Sequence, residues 1–515
     1  MRATARERHR LRRFASSAPL ILGLLLVEAY CVFVVSAGTF TTWPTYTSYH
    51  DLQAEGFRAG HLHLAVEPPP ALLRQANPFD PKHIRLWLYD ASLYHGHLYL
   101  YWGPVPALLL AAAKAAFRVS GEVGDQNLVF AFTTLQLVLG NLLIRAMGRR
   151  LFPSLSWWAR ALAHAVFSFA TPLPWLLAHG AVYEVAIAGA QAFLVTGLYA
   201  AFLAVRRPVC DRTARGLLLG AGAAWALALG CRISLAPALA LLAVATVGAT
   251  GPWRGRGSAG PAALRLVWLG GPLALATLLL CLYNWLRFDG FFDFGIAHQT
   301  TTMPFRTSSG YVAANVYSYL LRPVAWTCRF PWVTAPWDLD ARAFPTGFEV
   351  PHGYSMLEPS VGMLIAVPWT WLGVAAGAAF GVRALVHRTS RESGQARGSH
   401  ERVSPLAWCA AVAVILILVP PLPFLGLFVS TMRYLGDFRV GSVLAGTLGA
   451  WLLVSQTWPR PMQTVLALAC VLLAGSTVAY GVLLAFQSYD AHFERHNPPL
   501  YRALVERFSF CGTLD

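Results

Sequence analysis

The sequence has little charge for its length. Of its 515 residues, 12% are charged and 56% are hydrophobic, whereas a soluble domain carries roughly 25% charged residues. Apolar runs recur along the whole chain, and a run of about 18 or more apolar residues is long enough to cross a bilayer. The composition therefore excludes an ordinary soluble protein and predicts an all-α polytopic membrane protein.

Lysine is almost absent, since Lys82 and Lys114 are the only two in the chain. The net charge of +16 therefore comes from arginines, which lie in short segments between apolar runs. Such arginine-bearing loops are typical of the cytoplasmic side of membrane proteins. Because no basic soluble domain is present in the sequence, we predict no nucleic-acid partner.

A cleavable signal peptide is not predicted either. The first 14 residues include six arginines and precede an apolar run over 18–38. That run is longer than the apolar core of a cleaved signal peptide, so we expect it to remain as the first membrane helix. Its basic flank predicts that the tail 1–17 lies in the cytoplasm.

The apolar runs predict about eleven transmembrane helices, within a range of roughly ten to thirteen. The predicted spans are 18–38, 126–145, 157–178, 182–204, 216–232, 233–250, 266–286, 358–382, 406–430, 440–457 and 463–487. They define an N-terminal transmembrane module, a second outer loop, C-terminal transmembrane helices and an outer tail, which cover 18–286, 287–357, 358–487 and 488–515. The N-terminal module includes a first outer loop over 39–119, for which juxtamembrane helices are predicted.

The segment 104–119 has two interpretations. If it crosses the membrane, the arginine-bearing loops at 146–156 and 205–215 fall outside, against the positive-inside tendency. If it lies on the outer surface, these loops fall inside together with the later arginine-bearing loops. Lys114 and Arg118 are four residues apart, which suits an interfacial helix. We therefore favour the interfacial helix, with a spanning helix as the alternative.

Eight cysteines are present, and none of them forms a CxxC or Cys/His pattern typical of a zinc site. Only Cys328 and Cys511 fall in the predicted outer segments. They can form a disulfide in an oxidising compartment, and two unpaired outer cysteines are the alternative.

The longest polar segment runs from Tyr49 to Pro106 and carries several carboxylates and six histidines. On a helix that begins near Ser48, Asp51, Glu55 and Arg58 share one face. An acid held at the membrane surface can act as a general base towards a hydroxyl. The alternative is that Asp51 caps or solvates the helix while Glu55 and Arg58 form a surface ion pair.

The second half of this segment offers polar ligands. Asp90 precedes a stretch that contains His97 and Tyr99, and these are candidate contacts for a sugar or an acceptor. Tyrosines also accumulate at membrane interfaces for purely physical reasons. His95 and His97 have no fixed third partner in the sequence, so we predict no metal site.

Ionisable residues also occur within or beside the apolar runs. Such residues are costly in lipid, so they usually face a cavity or a partner. Arg232, Arg287 and Arg433 fall near the outer face in the predicted topology, and the planar guanidinium suits phosphate. They predict a site for an anionic lipid or a phosphate. The alternatives are snorkelling at the interface and charge pairing, as between Arg433 and Asp437.

Four stretches together resemble the GT-C superfamily of polytopic glycosyltransferases. Within it, the sequence is similar to the bacterial relatives of protein O-mannosyltransferases and to the lipid A aminoarabinose transferase. The stretches are YHDLQAEGFRAGHLHL from Tyr49, DASLYHGHLYLYWGPVPALL from Asp90, YNWLRFDGFFDFG from Tyr283 and MRYLGDF from Met432. Two departures are visible, because His50-Asp51 replaces a frequent Asp-Glu pair and the sequence GPVP replaces a Lys-Pro-Pro.

The resemblance implies an inverting transfer of a sugar from a polyprenyl-phosphate donor to an acceptor hydroxyl, at a cavity on the outer face of a bacterial inner membrane. It implies that Asp51 is the catalytic base. The predicted substrate ligands are Glu55, Asp90, His97, Tyr99, Arg232, Arg287 and Arg433. The expected partners are membrane lipid, the lipid-linked sugar, and an acceptor glycan, lipid or protein, and no divalent metal is expected.

Two other functions are compatible with the sequence. A transporter or flippase for a lipid-linked or polar solute would often show paired repeats and broken helices, and no internal repeat is visible. A non-catalytic partner in cell-envelope glycan assembly could share the same fold. Indifference to replacement of Asp51 would favour this last function.

Overall fold

The computed structural model describes residues 18–205, 207, 211–249, 259–303, 305–336, 344–355, 359–379, 404–487 and 491–511. Within these ranges almost all regular structure is helical, and the strands form two small two-stranded sheets. This confirms the predicted all-α class. The predicted cytoplasmic tail 1–17, Cys210 and most of the loop 383–405 lie outside the described residues.

The first half of the chain contains eleven α-helices and one hairpin in the described ranges. The helices are α1 (Ala18–Val35), α2 (Tyr49–Arg58), α3 (Pro70–Leu73), α4 (Val105–Phe117), α5 (Asp125–Leu151), α6 (Trp157–Phe169), α7 (Leu173–Ala178), α8 (Val182–Ala204), α9 (Arg212–Cys231), α10 (Ala236–Ala249) and α11 (Ala259–Phe288). The hairpin pairs β1 (Ser92–Tyr94) with β2 (His97–Tyr99), and Leu93 lies opposite Leu98.

The rest of the chain adds one helix in the second outer loop, three helices of 14 or more residues, and several shorter ones. These elements are α12 (Val312–Leu320), β3 (Ala325–Trp326), β4 (Val333–Thr334), α13 (Met363–Ala366), α14 (Thr370–Ala379), α15 (Pro405–Leu418), α16 (Leu422–Leu425), α17 (Gly436–Val454), α18 (Arg460–Gln487), α19 (His492–His496) and α20 (Pro498–Phe508). Two short helices, α19 and α20, thus follow α18 in the C-terminal tail.

Nine helical segments in the described part of the chain are long and apolar enough to cross a membrane. They coincide with nine of the predicted spans. The other two predicted spans, 233–250 and 358–382, contain the shorter apolar helices Ile233–Ala249 and Thr370–Ala379. The polytopic class is therefore confirmed, and the span count depends on how these two segments sit in the bilayer.

Helix α4 has the dimensions of an interfacial helix. Its 13 residues rise about 20 Å, which is less than the hydrocarbon core of about 30 Å. It ends where Arg118 takes a left-handed backbone conformation, with φ of 54°. Leu109 and Phe117 are exposed on one face, whereas Lys114 is buried on the other. Contrary to expectation, Lys114 does not serve as a surface charge of this helix.

The long helices differ sharply in burial. In an 18-residue stretch of Val182–Ala204 and of Met432–Val454, 83% of the residues are buried, whereas the share is only 11% in a stretch of Ala263–Phe288. Leucines such as Leu275, Leu278 and Leu279 are exposed on this last helix. An apolar surface that faces outward in a membrane protein contacts lipid. The two buried helices therefore form the centre of the bundle, and α11 forms a lipid-facing wall.

The C-terminal tail packs on the end of the first helix. The side chain of Asn497 donates to the carbonyl of Ala37 at 2.9 Å, and a ring nitrogen of His492 lies 2.8 Å from the carbonyl oxygen of Val34. A disulfide joins Cys328 to Cys511, with 5.4 Å between the Cα atoms. This decides between the two alternatives for these cysteines and attaches the tail to the second outer loop.

Candidate active site

Helix α2 is held in place by a buried carboxylate from α5. Asp125 accepts hydrogen bonds from the backbone N–H groups of Tyr49 and His50 at 3.1 and 3.3 Å, and it bonds Nδ1 of His50 at 2.9 Å. The first N–H groups of a helix have no partner within the helix, so Asp125 satisfies two of them. Sequence analysis missed this residue, although an acid at the first position of an apolar run was a signal for it.

Asp51 lies on the face of α2 that packs against α4. Its Oδ1 accepts a hydrogen bond of 2.6 Å from Nζ of Lys114, and Nζ also lies 2.6 Å from Oε1 of Glu55. The side chains of Lys114 and Asp51 are 2% and 7% exposed, so this ion pair is shielded from water. Lys114 therefore balances a carboxylate that would otherwise be costly to bury.

Glu55 completes a small charge network at the edge of α4. It also bonds Arg58 at 2.8 Å, which is the surface pair of the alternative interpretation of this helix. The hydrogen bond from Lys114 lowers the pKa of Glu55 below its usual value. Burial would lower the pKa of Lys114, but its bonds to Asp51 and Glu55 outweigh that effect and raise it. Both partners are thus held in their charged forms near neutral pH.

The three predicted phosphate-binding arginines line one cavity. It has a volume of about 200 Å³ and lies among the C-terminal ends of α9 and α11, the start of the segment Met432–Val454, and the residues that follow the hairpin. Aromatic side chains form much of its wall, namely Tyr101, Trp102, Tyr183, Tyr283, Phe294, Phe424 and Tyr434. Leu280 and Tyr283 belong to the lipid-facing helix α11, so this helix forms the wall between the cavity and lipid on one side.

Arg287 is the most enclosed of the three arginines that line the cavity. It is 3% exposed, donates to the backbone carbonyl of Leu100, and bonds Oδ1 of Asn284 at 2.9 Å. Its guanidinium lies 3.8 Å from the centre of the Tyr283 ring. Among the described residues, no carboxylate forms an ion pair with Arg287. Its guanidinium is therefore contacted by neutral groups.

The other two arginines have acidic partners, but in a different pairing from the one predicted. Arg232 donates from Nε and Nη2 to Oδ2 of Asp437, at 2.8 Å in each case. Arg433 lies 3.9 Å from Glu184 and over the ring of Tyr183. Charge pairing was the alternative to phosphate binding, but the pair named for it, Arg433 with Asp437, is not formed, because the start of α8 and the end of α9 bring other charged groups closer.

Asp90 does not line the cavity itself, but it contacts Tyr183, which does. It accepts a hydrogen bond from the hydroxyl of Tyr183, which lines the cavity. Its backbone has a φ of 60°, an uncommon conformation that often occurs at functional sites. Burial raises the pKa of Asp90 above its usual value, although Thr301 and Arg433 oppose this shift.

Gly103 allows the chain after the hairpin to approach α9. A Cβ atom at this position would lie 2.0 Å from the carbonyl oxygen of Gly230, so any side chain would force the two segments apart. Both segments contribute residues to the cavity wall. The GPVP sequence, which departs from the Lys-Pro-Pro of the resemblance, therefore has a packing role here.

The remaining predicted ligands lie outside the cavity lining. The ring of Tyr99 packs against Phe288, with 5.3 Å between centroids. His97 stacks on His63, and Asp51 and Glu55 contact Lys114. Helix α2 nevertheless reaches the cavity wall, because the amide of Gln53 donates to the hydroxyl of Tyr283 at 2.9 Å. Asp51 itself does not line the cavity.

Comparisons with known proteins give no family model that matches this chain and no match among curated proteins. Among solved structures, the chain is similar to the oligosaccharyltransferase AglB from Archaeoglobus fulgidus in complex with an inhibitory peptide and a dolichol-phosphate. The identity is 14% and the TM-score 0.44, over 98% of this chain and 60% of that one. The chain thus spans about three fifths of the length of that oligosaccharyltransferase.

Two other similar structures are comparable in length to this chain. The protein O-mannosyltransferase complex Pmt1-Pmt2 of S. cerevisiae, bound to the sugar donor, shows 10% identity and a TM-score of 0.48, over 92% of this chain and 90% of that one. ArnT from Cupriavidus metallidurans bound to undecaprenyl phosphate shows 13% identity and a TM-score of 0.41, over 94% and 77%. With TM-scores below 0.5, these likenesses leave the function to be inferred from the site.

Proposed function

We propose that this chain is a membrane glycosyltransferase that moves a sugar from a polyprenyl-phosphate donor to an acceptor hydroxyl on the outer face of the bacterial inner membrane. The observation that carries the proposal is the cavity lined by Arg232, Arg287 and Arg433. Three arginines at one cavity behind a lipid-facing helix suit a ligand with an anionic head and an apolar tail.

Of the three arginines, Arg287 is the one best placed to bind an anionic group. Arg232 and Arg433 are matched by Asp437 and Glu184, whereas Arg287 is held by neutral groups. Among the described residues, Arg287 therefore has no ion-pair partner that would compete with a bound anion. A sugar linked to a lipid through a phosphodiester carries one negative charge, and charge-assisted bonds from arginine are the strong kind for such an oxygen.

The same arginines would also stabilise the reaction. When the bond between the sugar and the phosphate breaks, the leaving phosphate gains negative charge. Donors that are already fixed in a low-dielectric site stabilise that charge without reorganisation. Arg287 is fixed by Tyr283, Asn284 and the Leu100 carbonyl, so it meets this requirement.

Asp51 is the proposed base that takes the proton of the acceptor hydroxyl, as the resemblance implies. Nζ of Lys114 bonds its Oδ1 atom, and Lys114 offsets the cost of burying the carboxylate. Asp90 is the rival base, because its pKa is raised and it contacts a residue of the cavity wall. A direct displacement that inverts the anomeric carbon needs only one of these carboxylates beside the attacking oxygen.

A binding experiment tests the donor site first. Undecaprenyl phosphate is titrated into the purified full-length protein in detergent, with uncharged undecaprenol as the comparison. We expect Arg287→Gln to weaken binding of the phosphate at least about tenfold, the cost of one charge-assisted hydrogen bond. Arg502→Gln, an exposed arginine on α20, is the matched control. Equal binding of the two lipids by the wild type would contradict the proposal.

A transfer experiment then separates the two bases. Membranes that contain the protein are supplied with a panel of undecaprenyl-phosphate sugars and an acceptor extract. Asp51→Asn is expected to lower transfer by about 100-fold or more while undecaprenyl phosphate still binds. Asp80→Asn, in an exposed pair with Lys82, is the control from the same loop. Full transfer by Asp51→Asn with loss in Asp90→Asn would assign the base to Asp90, and no transfer by the wild type would favour a non-catalytic partner.

A further inference from the structure

Three side chains of the first outer loop converge outside the arginine cavity. His63, Glu67 and His97 each place one ligand atom within 4.8 Å of those of the other two. Nδ1 of His97 lies 4.0 Å from a carboxylate oxygen of Glu67, and the rings of His63 and His97 are 4.3 Å apart between centroids. Two imidazoles and one carboxylate form a known ligand set for Zn²⁺.

The backbone holds these residues in position without help from a metal. The N–H of Leu64 donates to the carbonyl of Leu98 on β2 at 2.8 Å, and the N–H of Ala65 donates to the carbonyl of Leu52 on α2 at 3.0 Å. Leu64 itself is fully buried. The loop that carries His63 and Glu67 is thus attached to both neighbours, with His97 directly beside it.

A hydrogen bond leaves His63 with a nitrogen available to a metal. Its Nδ1 lies 2.9 Å from the carbonyl oxygen of Leu64. Because a carbonyl can only accept, Nδ1 must carry the proton, and Nε2 then has a free lone pair when the ring is neutral. A backbone carbonyl that fixes the tautomer in this way is typical of histidines that bind metals.

His97 supplies the second observation that points to a ligand. Its Nδ1 atom is shielded from solvent and has no hydrogen-bond partner among the described residues. Buried polar atoms of this kind usually have a partner. Glu67 is too distant for a hydrogen bond at 4.0 Å, but its exposed side chain can move towards the two rings. A metal between the three groups would satisfy Nδ1.

We propose that His63, Glu67 and His97 bind one Zn²⁺ ion, through Nε2 of His63, Nδ1 of His97 and the carboxylate of Glu67. Water takes the fourth position of the tetrahedron. The ion holds the loop after α2 against the hairpin and so stabilises the segment that carries Asp51. The sequence did not predict this site, because Glu67 and His97 are 30 positions apart in it.

Zinc binding by the full-length protein tests the proposal. The protein is purified without a histidine tag, stripped with EDTA, and titrated with ZnCl₂ while bound zinc and the thermal midpoint are measured. We expect one equivalent of zinc per chain and a rise in the midpoint, because a ligand of the folded state stabilises it. His63→Ala, His97→Ala and Glu67→Gln are each expected to weaken zinc binding at least tenfold.

His95→Ala is the matched control, since His95 lies in the turn of the same hairpin and is exposed beside Asp289. It is expected to bind zinc like the wild type. Glu67→Gln alters an exposed side chain, so its midpoint without zinc should equal that of the stripped wild type. Binding of less than half an equivalent by the wild type, or an equal loss in His95→Ala, would overturn the proposal.

Discussion

At the scale of single residues, Lys114 is the side chain whose role changes most on folding. In the sequence it is one charge on an apolar helix, and in the structure it is buried against Asp51 and Glu55. Removing one partner of a buried pair leaves the other charge without compensation, which costs more than the pair contributes. The proposed base therefore depends on a residue more than 60 positions away in the chain.

Lys114→Ala is expected to lower the free energy of unfolding by about 3–5 kcal/mol, because Asp51 would remain buried and unpaired. Thermal unfolding in detergent measures the effect. Lys82→Ala, which breaks the exposed pair with Asp80, is expected to change stability by less than about 1 kcal/mol. The double variant Asp51→Asn, Lys114→Met should recover much of the loss. A thermal midpoint for Lys114→Ala equal to that of the wild type would contradict the buried pair.

The same network predicts a pH dependence. The pKa of Glu55 is lowered by Lys114, so its contribution to stability is present above the pKa of the unfolded chain and is lost as pH falls through the lowered pKa. Thermal midpoints of the wild type and Glu55→Gln are compared between pH 3 and pH 7. We expect the wild type to be the more stable near pH 7 and the difference to vanish at the acid end. A difference between the two midpoints that grows as the pH falls would contradict this prediction.

At the scale of elements, the site depends on close contacts between segments from different parts of the chain. Asp125 at the start of α5 fixes the first turn of α2. Gly103 brings the residues after β2 onto the end of α9. Each contact is made by a residue that carries no chemistry, and each determines where a proposed functional residue lies.

Gly103→Ala is expected to disrupt the cavity, because its Cβ would lie 2.0 Å from the Gly230 carbonyl oxygen. Crowding of this kind costs about 1–3 kcal/mol and moves one wall of the arginine site. Affinity for undecaprenyl phosphate should fall at least tenfold. Gly121→Ala is the control, since nothing lies within 4 Å of a Cβ built there. If Gly103→Ala bound undecaprenyl phosphate as tightly as the wild type, the prediction that close packing at Gly103 maintains the cavity would be wrong.

At the scale of the whole molecule, a buried centre and a lipid-facing periphery determine where the site can lie. Arg433 lies in a central segment, Met432–Val454, and Arg287 lies on the peripheral helix α11. On one side, helix α11 forms the wall between this cavity and the bilayer. The disulfide attaches the C-terminal tail to the segment that carries Cys328, and Asn497 of the tail bonds the chain just after α1.

Labelling with a maleimide tests the disulfide. In denatured protein without reductant, two of the eight cysteines are expected to be protected, and all eight should react after reduction. Removing such a bond from a folded protein typically costs about 2–4 kcal/mol, so reduction should lower the thermal midpoint. The double variant Cys328→Ser, Cys511→Ser should label equally with and without reductant. Eight reactive cysteines in the unreduced wild type would exclude the bond and weaken the outer assignment of the tail.

The sequence by itself determined the class of the protein and the chemical character of its site. The apolar runs located nine helices that the structure confirms, because hydropathy over 18 or more residues is a local property. Arginines near the ends of those runs had to face a cavity or a partner, since lipid cannot solvate them. That requirement placed Arg232, Arg287 and Arg433 among the candidates before any contact was known.

Only the tertiary structure determined which charged side chains pair with each other. Asp51 pairs with Lys114, Arg232 with Asp437, and His97 lies beside Glu67. These contacts join segments that are between 30 and more than 200 positions apart. Attraction between charges depends on distance in space, which the order of residues along the chain does not specify. The sequence therefore predicts the residues of the site, whereas packing between helices decides their partners.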